Sequence, residues 1–322
     1  MKRRRDMGWM KDMVAVVIFL LLFPYFTISF KQQKNQLTDE PCPEADLQTE
    51  YDLIAKLPHN QKYFVVWEEE GTRLTLPVEH FLVGALAASI PLSYEEEVLK
   101  AQAVILRSDL CRRYEEIGKN KQGIKTITME TGEGNYWTDY RMQSAWGKSY
   151  EEYLKKCTDA VVNTQGIYLA YEGKAIAGYY HGMSAGRTRD GTELSGEGRF
   201  GYLRSTDCTD NLSSQSYVTE TKIRTEEVGK LEEDRRTADG YVISVQREEQ
   251  SVPGEQLREE LGLASSNFSW VKDNDYYIFT VKGFGHGFGL DQYYGNVLAS
   301  KSKDYKEIID YFFADVTFQK ME

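Results

Sequence analysis

The chain has 322 residues, of which 41% are hydrophobic, and a formal net charge of −11. This size allows one large domain or two small ones, each with a real core. The first 12 residues carry a net charge of +3, which leaves −14 for the remainder. Such an acidic body argues against nucleic acid as a partner, because non-specific binding depends on neutralising phosphates with basic side chains.

An apolar run over Met13–Phe30 contains no charged residue. As a helix it would be about 27 Å long at ~1.5 Å per residue, close to the ~30 Å hydrocarbon core of a bilayer. The basic residues before it predict a cytoplasmic tail over 1–12 and an extracytoplasmic location for all that follows. A cleaved signal peptide is the alternative, but this run is longer than the usual apolar segment of one. We expect an uncleaved single-pass anchor in the cell membrane, a polar stalk over 31–60 and a domain over 61–322.

The cysteines and histidines give no metal-binding pattern. An exported protein permits disulfides, and four cysteines allow three pairings among which the sequence does not choose. The chain contains neither a C-x-x-C pair nor the H-E-x-x-H spacing of a helical zinc site. We therefore predict no metal and no cofactor. The cysteines are Cys42, Cys111, Cys157 and Cys208.

Two consecutive helices are predicted over residues 78–117. The first is the apolar stretch Val78–Ala88, which ends near Pro91. In the second, Ser93 followed three residues later by Glu96 has the pattern of a capping box. Apolar residues then recur at helical spacing, which predicts a helix with one buried side. They are Val98, Leu99, Ala101, Ala103, Ile105, Leu106 and Leu110.

Strand-like and helix-like segments alternate irregularly in the rest of the chain. Because regular βαβ alternation is absent, the sequence predicts an α+β fold. Short β-branched and aromatic runs predict strands, and the turn at 172–174 predicts a hairpin. The predicted strands are 63–67, 166–171 and 175–180 (the hairpin), 241–245 and 276–281, and the predicted helices are 151–163, 254–261 and 303–313.

A glycine appears at every second position over Gly283–Gly289. If this segment is extended, all its glycines point to one face, and Phe284, His286 and Phe288 point to the other. A bare glycine face lets another backbone or a ligand approach closely. The pattern fits a binding site and a strand packed around a core histidine equally well.

A second glycine-rich segment contains Gly182, Ser184 and Gly186 in the G-x-S-x-G spacing of a serine hydrolase. Asp273 and His286 follow in an order that would suit a catalytic triad. The nucleophile of such an enzyme must lead straight into a helix, whereas further glycines follow here. We therefore expect a glycine-rich loop and treat hydrolysis through Ser184 as the weakest of three hypotheses.

Four segments, in order, resemble the stage II sporulation protein D / amidase-enhancer family, and together they cover about residues 74–316. The capped helix resembles the family's E-A-L-K-A-Q-A-V segment, and Tyr180–Thr188 resembles F-H-x-x-S-G-G-x-T. The run from Gly254 to Phe268 resembles G-x-x-L-R-x-x-L-G-L…S-x-F, and Gly285–Tyr293 resembles G-H-G-V-G-M-S-Q-Y. One such match would be weak, but four in the same order are strong.

The resemblance implies a protein that faces peptidoglycan, in the best-known members as a lytic transglycosylase acting on glycan strands without stem peptides. One carboxyl group protonates the glycosidic oxygen and then helps the sugar's own 6-hydroxyl close a 1,6-anhydro ring, and its pKa must be raised by burial. Other wall hydrolases or sporulation proteins are the further partners that the resemblance implies. The substrate-binding residues it implies are His181, Ser184, Gly186, Thr188, His286, Gly287, Gly289, Gln292 and Tyr293.

The chain departs from the family pattern at the acid. The family glutamate stands two residues before the proline that precedes the capped helix, and Ser89 occupies that position here. Loss of a general acid typically lowers the rate about 10²–10⁴-fold. Asp291, Glu95 and Glu96 are candidate replacements, although a loop acceptor or helix capping would also explain them. Some relatives carry extra Cys and His residues between the capped helix and the histidine loop, which suggests zinc. This chain has only Cys157 there.

Two principal hypotheses follow from the resemblance. The first is a lytic transglycosylase that uses a relocated carboxylate. The second is an inactive relative that binds glycan and recruits or stimulates wall amidases, and Ser89 favours this second hypothesis over the family's usual activity.

Overall fold

The computed structural model describes residues 62–69, 72–118, 120–121, 123–129, 136–194 and 199–321. The predicted tail, membrane span and stalk over 1–60 lie outside the described residues. Within the described ranges, no helix combines the length and the apolar character needed to cross a membrane.

The described residues form a mixed α+β fold, as the sequence predicts. The helices are α1 Val78–Ser89, α2 Glu96–Glu116, α3 Asp139–Trp146, α4 Tyr150–Asn163, α5 Thr225–Val228, α6 Gly254–Glu260, α7 Gln292–Ser300 and α8 Tyr305–Phe312. The strands are β1 Tyr63–Glu69, β2 Thr72–Pro77, β3 Lys125–Met129, β4 Ile167–Tyr171, β5 Lys174–Ala175, β6 Tyr180–His181, β7 Val218–Arg224, β8 Leu231–Arg236, β9 Val242–Arg247, β10 Gln250–Pro253, β11 Phe268–Asp273, β12 Tyr276–Lys282, β13 Leu290–Asp291 and β14 Thr317–Lys320.

Helix α2 is the centre of the main hydrophobic core. Val98, Ala101 and Ile105 are completely buried, which confirms the predicted apolar side. Helices α1, α4, α7 and α8 pack against α2. Two small sheets, with strand orders β2-β1-β3 and β14-β4-β5, complete this part of the fold.

The predicted capping box at the start of α2 is wrong. The N-cap is Glu95 rather than Ser93, and its side chain accepts no capping hydrogen bond. The reason is a turn just before the helix, in which the Tyr94 N–H donates to the Pro91 carbonyl at 3.2 Å. The Glu95 N–H is held by the Asn296 side chain of α7 at 2.8 Å instead. A tertiary hydrogen bond therefore replaces the local capping box that the sequence predicts.

A buried ion pair ties α1 to α2. Arg107 donates to both carboxylate oxygens of Glu79, at 2.9 and 2.6 Å, and the two side chains are 0% and 2% exposed. Arg107 also donates to the Ile167 carbonyl at 3.0 Å, and the Gly166 N–H donates to Glu79 at 3.1 Å. Because every charge has a partner, this pair can be buried, and it fixes the start of β4 against both helices.

The predicted hairpin is only partly correct. Strands β4 and β5 pair, but β5 ends at Ala175. The chain then crosses α2, where a Cβ on Gly178 would lie only 2.5 Å from the Ile105 carbonyl oxygen. Tyr180 and His181 pair instead with β13, in a parallel arrangement. The close approach to α2 separates these two residues from the hairpin and brings them to the last motif.

Residues 218–281 build a smaller lobe with its own core. Strands pair in the orders β10-β9-β8 and β11-β12-β7. Apolar side chains between these strands and α6 are buried, among them Val245, Leu257 and Phe279. The predicted strands over 241–245 and 276–281 and the helix over 254–261 are confirmed here, within one or two residues at each end.

Candidate functional site

The two glycine-rich segments lie side by side. Strand β6 pairs with β13 in parallel, which places His181 opposite Asp291. Further along, the Phe284 N–H donates to the Met183 carbonyl at 2.7 Å, and the Met183 N–H donates back at 3.0 Å. The loop over 179–188 and the loop over 283–292 therefore form one unit, which we call the paired loops.

The glycine segment is not the extended strand that its spacing predicts. Gly283, Gly285, Gly287 and Gly289 have φ values of +75°, +100°, +86° and +71°. Residues with side chains rarely adopt this backbone conformation. A Cβ on Gly289 would also lie 2.1 Å from the Tyr179 carbonyl oxygen. The close approach that we expected does occur, between the two loop backbones, but the alternation of faces does not.

Asp291 is a buried acceptor. Its side chain is 0% exposed, and its Oδ2 accepts from the Ser184 N–H at 2.8 Å and from the Asn211 side chain at 2.6 Å. Its Oδ1 accepts from the Tyr294 N–H at 2.9 Å, which caps α7. A carboxylate used in this way cannot reach a glycosidic oxygen at the surface. The structure thus favours the loop-acceptor role over the catalytic-acid role.

His181 lies beneath the surface beside Asp291. Its Nδ1 donates to the Phe288 carbonyl at 3.0 Å, which places the proton of the neutral ring on Nδ1. Its Nε2 has no hydrogen-bond partner and lies 3.8 Å from Asp291 Oδ2. Burial lowers the pKa of His181, although the Asp291 carboxylate acts in the opposite direction. His181 is therefore neutral at neutral pH, and its hydrogen bond to Phe288 joins the two paired loops.

His286 is partly buried and also neutral. Its Nδ1 accepts from the Phe288 N–H at 3.0 Å. Burial, reinforced by His181 and two nearby arginines, lowers the pKa of His286 to about 3. The neutral His286 ring therefore stabilises the turn of its own loop. The ring remains partly exposed to solvent.

Ser184 does not have the geometry of a nucleophile. Its side chain is 0% exposed, and its hydroxyl accepts from the Asn211 amide at 3.0 Å. The segment after it continues as a loop to a short 3₁₀ turn at 191–193 and not as a helix. Asp273 lies in the separate lobe, at the end of β11. The structure gives no support to the serine-hydrolase hypothesis.

Ser89, the position that the resemblance assigns to the acid, lies next to the paired loops. Gln292 donates through Nε2 to the Ser89 carbonyl at 2.7 Å and to the side chain of Gln102 at 3.2 Å. The Ser89 hydroxyl, at the end of α1, donates to the Leu86 carbonyl at 3.2 Å and is partly exposed. Gln292 of α7, itself held by Gln102 of α2, thus fixes the backbone of residue 89 beside the last motif.

Of the other candidate acids, Glu95 and Glu96 are exposed at the start of α2. Glu97, the third member of this acidic run, accepts from Lys100 at 2.6 Å and from the Tyr305 N–H at 2.9 Å. Tyr94 lies beside them and is partly buried. Its pKa is raised to about 12 by burial, and by the nearby Asp291 and Tyr293. This places Tyr94 within electrostatic range of the paired loops.

Two remaining motif residues act on the backbone. Thr188 donates through its hydroxyl to the Arg204 carbonyl at 2.8 Å and is buried. Gly186 has a φ of +98° and a carbonyl that accepts from the Cys208 N–H at 2.8 Å. Both hold the first loop against residues 204–208, below the surface that a ligand could reach.

Four residues that the sequence analysis did not select complete the support of the loops. Tyr241 donates to the Arg187 carbonyl at 3.1 Å and packs under Gly287, 2.8 Å from the position of a Cβ. Arg189 pairs with Glu193 and Glu255 at 2.9 and 2.8 Å and lies over the Phe288 ring. The other two are Asn211 and Gln102. Only Gln102 stood in a segment with a family resemblance, so only it carried a signal.

The part of this region that solvent reaches is small. We call it the motif surface and define it by Ser89, Tyr94, Gly182, Phe284 and Tyr293. These residues are partly exposed, and Phe284 is 63% exposed. The Tyr293 N–H donates to the Gly182 carbonyl at 3.0 Å, and the Phe284 ring packs over Gly182. Contacts between neighbours therefore link the position of the family acid to the first glycine loop.

The cysteines lie away from the motif surface or beneath it. Cys111, Cys157 and Cys208 are free and buried, and burial raises the pKa of each thiol. Cys42 lies outside the described residues. Among the residues that the structure describes, no group of three or more His, Cys, Asp or Glu side chains could hold a metal ion.

Comparison with known proteins points to one family. The family model described as "Stage II sporulation protein" matches residues 68–171, which include Ser89 and all of α2. Stage II sporulation protein D of Bacillus subtilis is 30% identical over 260 residues, covering 74% of this chain and 73% of that protein. The protein of the same name from Bacillus amyloliquefaciens is 27% identical over 262 residues, covering 77% and 75%. An uncharacterized protein of Brachyspira hyodysenteriae is 26% identical over 281 residues, covering 83% and 71%.

Proposed function

The chain belongs to the stage II sporulation protein D family, and we propose that it binds peptidoglycan glycan strands at the motif surface. The observation that carries this proposal is the hydrogen bond from Gln292 to the Ser89 carbonyl, at 2.7 Å. It supports the assignment of residue 89 to the glycan site, because it joins the family's acid position to the family's last motif.

In this proposal the chain binds strands with little or no cleavage. Protonation of a glycosidic oxygen needs a carboxyl group, and a serine hydroxyl cannot supply the proton at a useful rate. Asp291 is committed to three buried donors. We further propose that Met13–Phe30 anchors the protein in the cell membrane with its domain outside, where it recruits or stimulates other wall enzymes during sporulation.

The binding test uses the full-length chain and peptide-free glycan strands. We expect the protein to co-sediment with the strands, and to remain in solution with an equal mass of a neutral glucan. An equal distribution in the two samples would contradict glycan recognition. Because the strands lack stem peptides, binding to peptide cannot account for a positive result.

A second candidate function is cleavage through a relocated acid, and the tie between Glu95 and α7 favours Glu95 for that role if a bound strand buries its carboxylate. Its carboxylate is exposed next to Tyr94, and its backbone is held to α7 by Asn296 at 2.8 Å. If the wild-type chain releases 1,6-anhydro ends, Glu95→Gln should abolish the activity and leave co-sedimentation unchanged. Activity that survives this change would exclude Glu95, and Glu96→Gln then tests the remaining exposed candidate in the same way.

A further inference from the structure

The motif surface contains one exposed aromatic side chain. Phe284 is 63% exposed, although an aromatic ring of this size usually contributes to a core. Leu212 and Val218, 55% and 46% exposed, border the same loops. Leu212 lies beside Gly186, and Val218 follows Tyr217, whose carbonyl accepts from the Gly283 N–H at 2.8 Å. These exposed apolar groups are therefore gathered along the paired loops.

The backbone of Phe284 is fixed by the loops, and its ring packs on a glycine. Phe284 lies between two glycines of positive φ, and it exchanges both backbone hydrogen bonds with Met183. One side of its ring packs on Gly182, where an added Cβ would be 2.7 Å from the ring carbon Cδ1. The rest of the ring faces solvent. A ring that is already ordered loses little further entropy when a ligand covers it.

We propose that Phe284 is a stacking platform for one pyranose ring of the bound glycan, an inference that rests on the proposed function. The C–H face of a sugar in the chair form is apolar and flat, and it matches the open face of an aromatic ring. The partly exposed Tyr94 and Tyr293 side chains of the motif surface offer hydrogen bonds to hydroxyl and N-acetyl groups. Phe284 therefore binds one sugar of the strand whose other part passes Ser89.

A sugar fits this surface better than a protein partner does. A stable protein interface buries about 800 Å² on each partner. Here only one ring and two aliphatic side chains are exposed along the paired loops. A narrow strip of this kind suits a single extended strand.

The test measures the affinity of the full-length chain for a tetrasaccharide of the peptidoglycan glycan strand that carries no stem peptides. The method is isothermal titration calorimetry. Phe284→Ala should weaken binding about 10-fold, equivalent to about 1.4 kcal/mol. Phe284→Leu should weaken it similarly, since it keeps an apolar side chain without a ring, whereas Phe284→Tyr should stay within about 3-fold of the wild type. Val271→Ala is the matched control, because Val271 is 62% exposed but lies on β11 in the smaller lobe.

The outcomes separate this inference from the proposed function. Wild-type binding that Phe284→Ala leaves within about 2-fold would overturn the stacking role and leave glycan binding intact. An affinity of Phe284→Leu equal to that of the wild type would replace stacking with simple apolar contact, and so would also overturn it. No binding by the wild type would overturn both. Equal unfolding midpoints for the variants and the wild type would exclude misfolding, as expected for an exposed side chain.

Discussion

The buried acceptor role of Asp291 makes a specific prediction for Asp291→Asn. An amide has one oxygen where the carboxylate has two, and its nitrogen can only donate. If that oxygen faces Ser184 and Asn211, the Tyr294 N–H at the start of α7 loses its acceptor and faces another donor. If it faces Tyr294, the other two donors are left unpaired. A buried donor without an acceptor costs about 1–3 kcal/mol, so we expect a loss of about 2–4 kcal/mol in the free energy of unfolding.

The assay is urea denaturation followed by tryptophan fluorescence, with Asp304→Asn as the control. Asp304 is also a helix N-cap, accepting from Lys306 and Glu307 at the start of α8, but it is exposed. Because asparagine caps a helix about as well as aspartate, this control should lose less than about 0.5 kcal/mol. With a slope of roughly 3 kcal/mol per molar urea, Asp291→Asn should lower the midpoint by about 1 M. Equal midpoints for the two variants would refute the buried-acceptor assignment and return Asp291 to the list of candidate acids.

Three further predictions concern stability. Glu79→Gln should lower the free energy of unfolding by about 3–5 kcal/mol because it leaves the buried Arg107 charge without a partner. Glu68→Gln, in an exposed ion pair, should lower it by less than about 1 kcal/mol, with both measured by urea denaturation. Similar losses for the two variants would contradict the buried pair. Folding lowers the pKa of His286 to about 3, so its contribution to the free energy of unfolding should be fully present above pH ~6.5 and lost as the pH falls towards 3, by about 1–2 kcal/mol at pH 5. His286→Gln should therefore lose less stability than the wild type between pH 7.5 and 5, and an equal loss would argue against a neutral His286. Gly289→Ala should prevent folding or severely destabilise the protein, because its Cβ would clash with Tyr179. Gly123→Ala, at a φ of +78° with open space around it, should cost only about 1 kcal/mol of backbone strain in thermal unfolding. Equal effects of the two changes would show that φ alone matters.

The sequence predicts the helices best, because their signal is local. Val98, Ala101 and Ile105 recur at helical spacing, and the structure buries all three on one side of α2. The start of the same helix is mispredicted because the Glu95 N–H is held by the side chain of Asn296, which is 201 residues away along the chain. No local pattern carries that information.

The candidate site is predictable only as far as its motifs extend. The motifs include both loops, but their periodicity alone fits an extended glycine strand. The glycines instead have positive φ values, and Tyr179, His181, Met183 and Tyr241 from other segments occupy the space that their Cβ atoms would need. Asn211 and Tyr241 hold the loops in place, yet they stand in segments without a motif. Their role depends on tertiary contacts that a single sequence does not reveal.

The central claim is that residue 89 lies in the glycan site and that Ser89 has replaced its acid. It is tested most directly by incubating the wild type and Ser89→Glu with peptide-free glycan strands and analysing the products by mass spectrometry. The account predicts that the wild type binds the strands and leaves them essentially intact, and that Ser89→Glu creates or raises the release of 1,6-anhydro ends. Efficient release by the wild type that Ser89→Glu does not change, or no release by a Ser89→Glu variant that still binds, would contradict it.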